Sequence, residues 1–232
     1  MDRQDDDLRE EMTTPGAFVT VAVVFEGGLL LVAWFVGWLL DKPPLELVRF
    51  TWLAVLVGVA GTVPLLVGMW WSVRSRWRPM RRLKAVVERR LVPLFDGCSY
   101  TDLALIALVA GIGEEALFRG VIQKPIADAI GPMAGPAVGV AVASVLFAGV
   151  HLITPAYGVM AGIISVYLGV LMIYFDNNLL PPMIIHALYD FIALCILARQ
   201  RDRKLRHIAQ RQASSQAEDD SVQETSESEQ VH

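Results

Sequence analysis

The stretch of sequence that decides the fold is residues 101–120, TDLALIALVAGIGEEALFRG. About twenty apolar residues suffice for a helix to cross the hydrocarbon core of a bilayer. This stretch nevertheless carries Glu114, Glu115 and Arg119 close together. An ionisable side chain within a span costs about 2.5–3.5 kcal/mol on insertion scales. The stretch therefore predicts a membrane helix whose charged residues have partners or a function.

Apolar stretches of similar length recur along the chain. Apolar residues make up 54% of the sequence and the mean hydropathy is +0.47. Because lipid offers no hydrogen bonds to the backbone, such stretches must be helical. The spans are predicted at 17–40, 50–71, 101–120, 134–153, 156–175 and 183–199. The predicted fold is all-α: a polytopic transmembrane helix bundle of about six spans with a polar site in its core.

Positive charge is concentrated beside the predicted spans. Eight cations lie between residues 72 and 90, and six more lie between residues 199 and 211. The positive-inside rule places both segments in the cytoplasm, and an even number of spans between them agrees with that placement. We therefore expect a multi-pass protein of the cell membrane with both termini cytoplasmic. We expect the basic segments to contact the lipid bilayer rather than nucleic acid.

The composition divides the chain into five segments. Residues 1–16 form an acidic tail, and 17–72 hold two peripheral transmembrane helices. Residues 73–100 form a basic cytoplasmic segment, and 101–199 hold the polar helix core. The tail at 200–232 is first basic and then rich in Ser, Gln and Glu, a composition that predicts disorder.

The first polar group lies at the end of the opening stretch. Glu115 and Arg119 are four residues apart, so they share a helix face and suit an ion pair. Glu114 is turned by about 100° from Glu115 on a helix of 3.6 residues per turn. Glu114 therefore lacks a local counter-charge, which suits a general acid or base.

Two later stretches repeat the four-residue spacing. Phe147 and His151 share a helix face, and so do His186 and Asp190. Asp190 can accept a ring proton of His186 and thereby fix its tautomer. One such pair is usually structural, but three groups within one hundred residues predict a shared functional site.

Two other kinds of residue have structural interpretations. Glu26 lies inside the first predicted span beside Gly27 and Gly28, and we expect it to hydrogen-bond a neighbouring helix or line a cavity. Cys98 and Cys195 show neither metal-binding spacing nor a redox pair.

The three polar groups resemble the signature motifs of the CPBP family, which includes CAAX prenyl endopeptidases and bacterial abortive-infection and bacteriocin-processing proteins. The family pattern is EExxxR, then FxxxH, then HxxxN or HxxxD. It is matched here by Glu114-Glu115 with Arg119, by Phe147 with His151, and by His186 with Asp190. The resemblance covers roughly residues 95–200 and makes 101–199 the expected catalytic core.

The resemblance implies an intramembrane endopeptidase that hydrolyses a peptide bond of a membrane-associated protein or peptide. Glu114 and His151 would activate the attacking water, and His186 and Asp190 would serve the developing oxyanion. Because an ionised Asp cannot donate a hydrogen bond, we expect Asp190 to orient His186 instead. The expected supporting residues are Glu115, Arg119 and Phe147.

A metal site is the alternative chemistry. Glu114, His151 and His186 would provide three zinc ligands with one open position. The sequence contains neither HExxH nor the nucleophile motif GxSxG. Metal-free Glu/His chemistry is the favoured interpretation, and zinc stays possible.

Two other functions stay open at this point. The chain would also suit a non-proteolytic membrane immunity or binding protein that retains the motifs, or a proton or metal transporter. Against transport, the sequence has no internal repeat and no pair of broken helices.

The predicted spans set one geometric requirement. In strictly alternating spans, His151 and His186 lie toward opposite sides of the membrane. For the two to meet, one helix must be tilted, short or re-entrant. We expect the irregularity within residues 120–133, which contain Gly120, Pro125, Gly131 and Pro132.

Overall fold

The computed structural model describes residues 15–201 and residue 210. The predictions for the acidic tail and for the disordered C-terminal tail therefore lie almost wholly outside the described residues. The chain divides into two compact units at Cys195 and Ile196. All residues of the predicted site belong to the first unit.

Residues 15–201 contain eight α-helices and no β-strand. The helices are α1 (Pro15–Leu39), α2 (Trp52–Arg74), α3 (Arg78–Val86), α4 (Tyr100–Glu115), α5 (Lys124–Ile130), α6 (Gly135–Val150), α7 (Pro155–Tyr174) and α8 (Leu180–Arg201). Shorter 3-10 helices occupy Pro44–Leu47 and Val92–Phe95, and π-helices occupy Val87–Leu91 and Ala116–Gln123. The all-α prediction is confirmed for this part of the chain.

Four of the helices, α1, α2, α7 and α8, are long and apolar enough to cross a membrane. Only 6% to 33% of their most apolar windows is buried within the protein, so their outer faces require lipid. The other two predicted spans, 101–120 and 134–153, correspond to α4 and α6, which have 16 residues each. The structure thus gives four candidate spans, against the six predicted.

The ends of the core helices follow from local capping. Ser99 accepts a hydrogen bond from the Asp102 N–H, and the Asp102 carboxylate accepts one from the Ser99 N–H. This capping box starts α4. Thr154 accepts a hydrogen bond from the Tyr157 N–H at the start of α7. These caps fix where the core helices begin.

The irregularity expected at 120–133 is largely helical. Helix α4 continues directly into the π-helix Ala116–Gln123 and then into α5. The wide π-helical turn lies directly before Pro125, whose ring would crowd a carbonyl of the preceding turn in a regular α-helix. The chain reverses only at 131–134, where Gly131 has a φ of +99°.

The position of this reversal determines where α6 ends relative to the residues of α4. Gly139 of α6 lies against Gln123, so α6 runs back alongside the π-helix and toward α4. His151 directly follows α6 and is therefore returned to the level of Glu115. Because α6 is short, His151 can lie at the same depth as His186, as the predicted spans required.

Two glycines of α4 allow neighbouring helices to approach closely. A Cβ on Gly113 would lie 2.6 Å from the backbone oxygen of Glu26 in α1. A Cβ on Gly111 would lie 2.8 Å from the backbone nitrogen of Ala187 in α8. Backbone atoms cannot rotate away from an added methyl group as a flexible side chain can. These short distances therefore show that α1 and α8 are in direct contact with α4.

We expect Gly113→Ala to destabilise the protein, because the added methyl group must push α1 off α4. Overpacking of this kind costs about 1–3 kcal/mol. Thermal unfolding in detergent measures the loss. The control is Gly68→Ala in α2, where a Cβ meets nothing within 4 Å. Equal stability of the two variants would contradict the close packing of α1 on α4.

Candidate active site

The centre of the site is a fully buried ion pair. Arg119 and Glu115 are both 0% exposed, and the Arg119 Nε lies 3.1 Å from the Glu115 Oε2. The contact is ionic, because the N–H is not aligned as a hydrogen bond. The Arg119 Nη2 also donates to the backbone oxygen and to the Oγ of Ser165, each at 3.1 Å. The i,i+4 pair predicted from the sequence is therefore present.

The same Glu115 also holds His186. The His186 Nδ1 lies 2.8 Å from the Glu115 Oε1. Because the Glu115 carboxylate pairs with the Arg119 guanidinium, its oxygens accept, and the Nδ1–H donates. The other ring nitrogen, Nε2, lies 3.4 Å from the Asp190 Oδ2. Two carboxylates thus orient His186, of which the sequence indicated only Asp190.

His151 is oriented by Phe147, four residues earlier. The His151 Nδ1 lies 2.9 Å from the Phe147 carbonyl oxygen. A carbonyl only accepts, so the Nδ1 carries the proton and the Nε2 lone pair points away from it. The two rings also stack, with centroids 4.3 Å apart and an interplanar angle of 17°. The FxxxH spacing therefore fixes both the tautomer and the plane of His151.

Glu114 lies between the two histidines. Its residue is 7% exposed, and its Oε2 is buried without a hydrogen-bond partner. That oxygen lies 3.7 Å from the His151 Nε2 and 4.0 Å from the His186 Nε2. These separations exceed a hydrogen bond but allow one water molecule to contact Glu114 and His151 together. The carboxylate oxygen and the imidazole lone pair are both acceptors, so the space beside them suits a donor.

All seven residues predicted for the site therefore lie together. Phe147 contacts several of them: its ring centroid is 5.1 Å from the Arg119 guanidinium and 6.1 Å from the His186 ring. The sequence missed Ser165, since one hydroxyl in an apolar helix is an ordinary feature. It also missed Tyr157, whose ring lies 6.0 Å from that of His151.

The predicted zinc ligands do not fit a metal in this arrangement. Among the described residues, no group of three or more His, Cys, Asp or Glu side chains has suitable geometry. His186 offers only its Nε2, because its Nδ1 donates to Glu115, and that Nε2 already faces the Asp190 Oδ2 at 3.4 Å. The side chains are instead arranged for contacts with one another.

Comparison with known families identifies the core. Residues 98–192 match the family model described as type II CAAX prenyl endopeptidase Rce1-like. This segment of the chain is similar to that family. The predicted resemblance to CPBP proteases is confirmed, and the match includes every predicted site residue from Glu114 to Asp190. Helices α1 and α2 lie outside it. Comparisons with curated proteins and with solved structures found no match to the chain.

The matched family is described as endopeptidases, and endopeptidases are hydrolases. The four apolar helices independently support a membrane protein. The description of the matched family and the apolar helices of the chain therefore agree.

We expect Glu115→Leu and Arg119→Leu each to lower the free energy of unfolding by about 3–5 kcal/mol, because each leaves a buried charge unpaired. The double variant should lose at least about 1 kcal/mol less than the sum of the two. Unfolding in detergent gives the three values.

The control is the exposed pair Lys84 and Glu88, whose charged atoms are 3.7 Å apart. Its coupling should not exceed about 0.5 kcal/mol. Strict additivity of the Glu115 and Arg119 losses would show that the buried pair does not act as a unit.

Proposed function

We propose that this protein is an intramembrane endopeptidase that hydrolyses a peptide bond of a membrane-associated protein or peptide. The observation that carries the proposal is the position of the Glu114 Oε2. It is buried, accepts no hydrogen bond and lies within 4.0 Å of both imidazoles. A carboxylate kept free of partners beside two histidines is suited to proton transfer.

The attacking water is activated by Glu114 and His151. A water beside the 3.7 Å gap donates one hydrogen to the carboxylate and the other to the His151 Nε2. Both lone pairs of the water oxygen then point away from Glu114 and His151. As the water oxygen bonds to the substrate carbonyl carbon, Glu114 takes the proton. His151 keeps the water oriented, because the Phe147 carbonyl holds its Nδ1–H.

His186 stabilises the oxyanion. As an imidazolium it donates Nδ1–H to Glu115 and directs Nε2–H toward Asp190 and the open side of Glu114. The carbonyl oxygen of the substrate gains negative charge there, where a fixed donor is most effective. Glu115 and Asp190 act as counter-charges, so Asp190 has an orienting role.

The tetrahedral intermediate collapses when the nitrogen of the leaving amine gains a proton. Glu114 supplies the proton that it took from the water, and the C–N bond breaks. The products are an amine and a carboxylic acid that keeps the second hydrogen of the water, and the carboxylate of Glu114 is regenerated. Every step is carried by side chains of the chain itself, and we propose chemistry that needs no metal.

We expect Glu114→Gln to reduce cleavage by about 10²–10⁴-fold, the usual contribution of a general acid–base group. The purified protein is incubated with a library of membrane proteins and peptides, and new termini are identified by mass spectrometry. Glu46→Gln is the matched control, since Glu46 is exposed in the 3-10 helix Pro44–Leu47. Equal product from Glu114→Gln and the unaltered protein would exclude the catalytic role.

A chelator separates the two chemistries. Cleavage should persist after chelation and dialysis, and added zinc should not raise it. Activity that is lost to the chelator and restored by zinc would replace the metal-free mechanism with a metal-dependent one.

We further propose that the basic α3 segment and both termini lie in the cytoplasm. The exposed arginines of α3 support this orientation. In a protein lacking Cys98 and Cys195, a membrane-impermeant maleimide should label Glu46→Cys on intact cells. It should label Arg82→Cys only after permeabilisation. The reverse pattern would invert the topology.

A further inference from the structure

Glu26 is an acidic residue of α1 that the mechanism does not use. It is the one ionisable residue within Pro15–Leu39, and it belongs to a helix outside the matched family segment. Its side chain is half-buried, and its Oε2 is buried without a hydrogen-bond partner. A buried oxygen of this kind is costly unless a donor reaches it in some state of the protein.

Helix packing places Glu26 at the active site. Its backbone oxygen would lie 2.6 Å from a Cβ on Gly113, the residue directly before Glu114. Its carboxyl group interacts electrostatically with Glu114, His186 and Asp190. Glu26 therefore forms part of the wall of the site, contributed by a helix that the family motifs do not include.

The described site contains more carboxylates than cations. Its acidic groups are Glu26, Glu114, Glu115 and Asp190, and its basic groups are Arg119 and His186. Arg119 lies against Glu115 and Ser165, and His186 contacts Glu115, Asp190 and, at 4.0 Å, Glu114. The Glu114 Oε2 is the oxygen that receives the attacking water, whereas the buried Oε2 of Glu26 has no donor. A cation with N–H donors would complement it.

We propose that Glu26 is a specificity-determining residue that selects substrates with a lysine or arginine side chain next to the scissile bond. This inference rests on the proposed endopeptidase function. The cationic side chain supplies the charge and the donors that the Glu26 carboxylate lacks. The Asp190 side chain, which is 33% exposed, is the accessible acidic group past which such a substrate enters.

The test uses the purified full chain and the peptides that it cleaves from a proteome-derived library. For each cleaved peptide, kcat/KM is measured with lysine and with the neutral acetyl-lysine at the same position. The unaltered protein should prefer lysine by about tenfold or more, as expected for a charge-assisted hydrogen bond. Glu26→Gln should lower that preference to near one. Glu46→Gln, which removes an exposed carboxylate, should leave it unchanged.

The outcomes separate the inference from the proposed function. A lysine to acetyl-lysine ratio near one for the unaltered protein overturns the inference, and this result needs no variant to fold. A preference that persists in folded Glu26→Gln also overturns the assignment to Glu26. In both cases an inactive Glu114→Gln keeps the endopeptidase function. If the unaltered protein cleaves no peptide, both proposals fail.

Discussion

The arrangement of the site depends on the buried pair of Arg119 and Glu115. Neither charge is exposed, so each is tolerated only because the other is present. The pair uses one oxygen of Glu115 for Arg119 and leaves the other for His186. The carboxylate that pairs with Arg119 within its own helix thus also holds His186 of α8. The adjacent Glu114, turned away from this pair, is left free for chemistry.

A second constraint is the length of α6. A helix that crossed the whole bilayer after the turn at 131–134 would carry His151 beyond the level of Glu114. At 16 residues, α6 stops where the EExxxR helix holds its carboxylates. The long outgoing helix and the short return helix together place His151 and Glu114 3.7 Å apart. The site therefore lies within the helix packing.

Much of the fold and of the site was predictable because membrane helices follow local rules. Apolar length located the helices to within a few residues, and the four-residue spacing identified Glu114, His151 and His186. The number of helices that are long and apolar enough to cross a membrane was not predictable in the same way. The charged end of α4 passes into a π-helix, and α6 is too short, so apolar length alone overestimates them. For Glu26 the sequence predicted a hydrogen bond to a neighbouring helix or a place in a cavity wall, since nothing in its own helix indicates which neighbour it faces.

The sequence by itself determined the helical class, the residues that carry the chemistry and the Glu115–Arg119 pair, because each depends on spacing within one helix. Only the tertiary structure decided which oxygen meets which nitrogen across helices. It assigned Glu115 to the Nδ1 of His186, left the Glu114 Oε2 between two imidazoles, and brought Glu26 to the same site. The physical reason is that such contacts depend on the relative height and rotation of packed helices. Those are set by close approaches such as that of α1 to Gly113, which no periodicity within a single helix encodes.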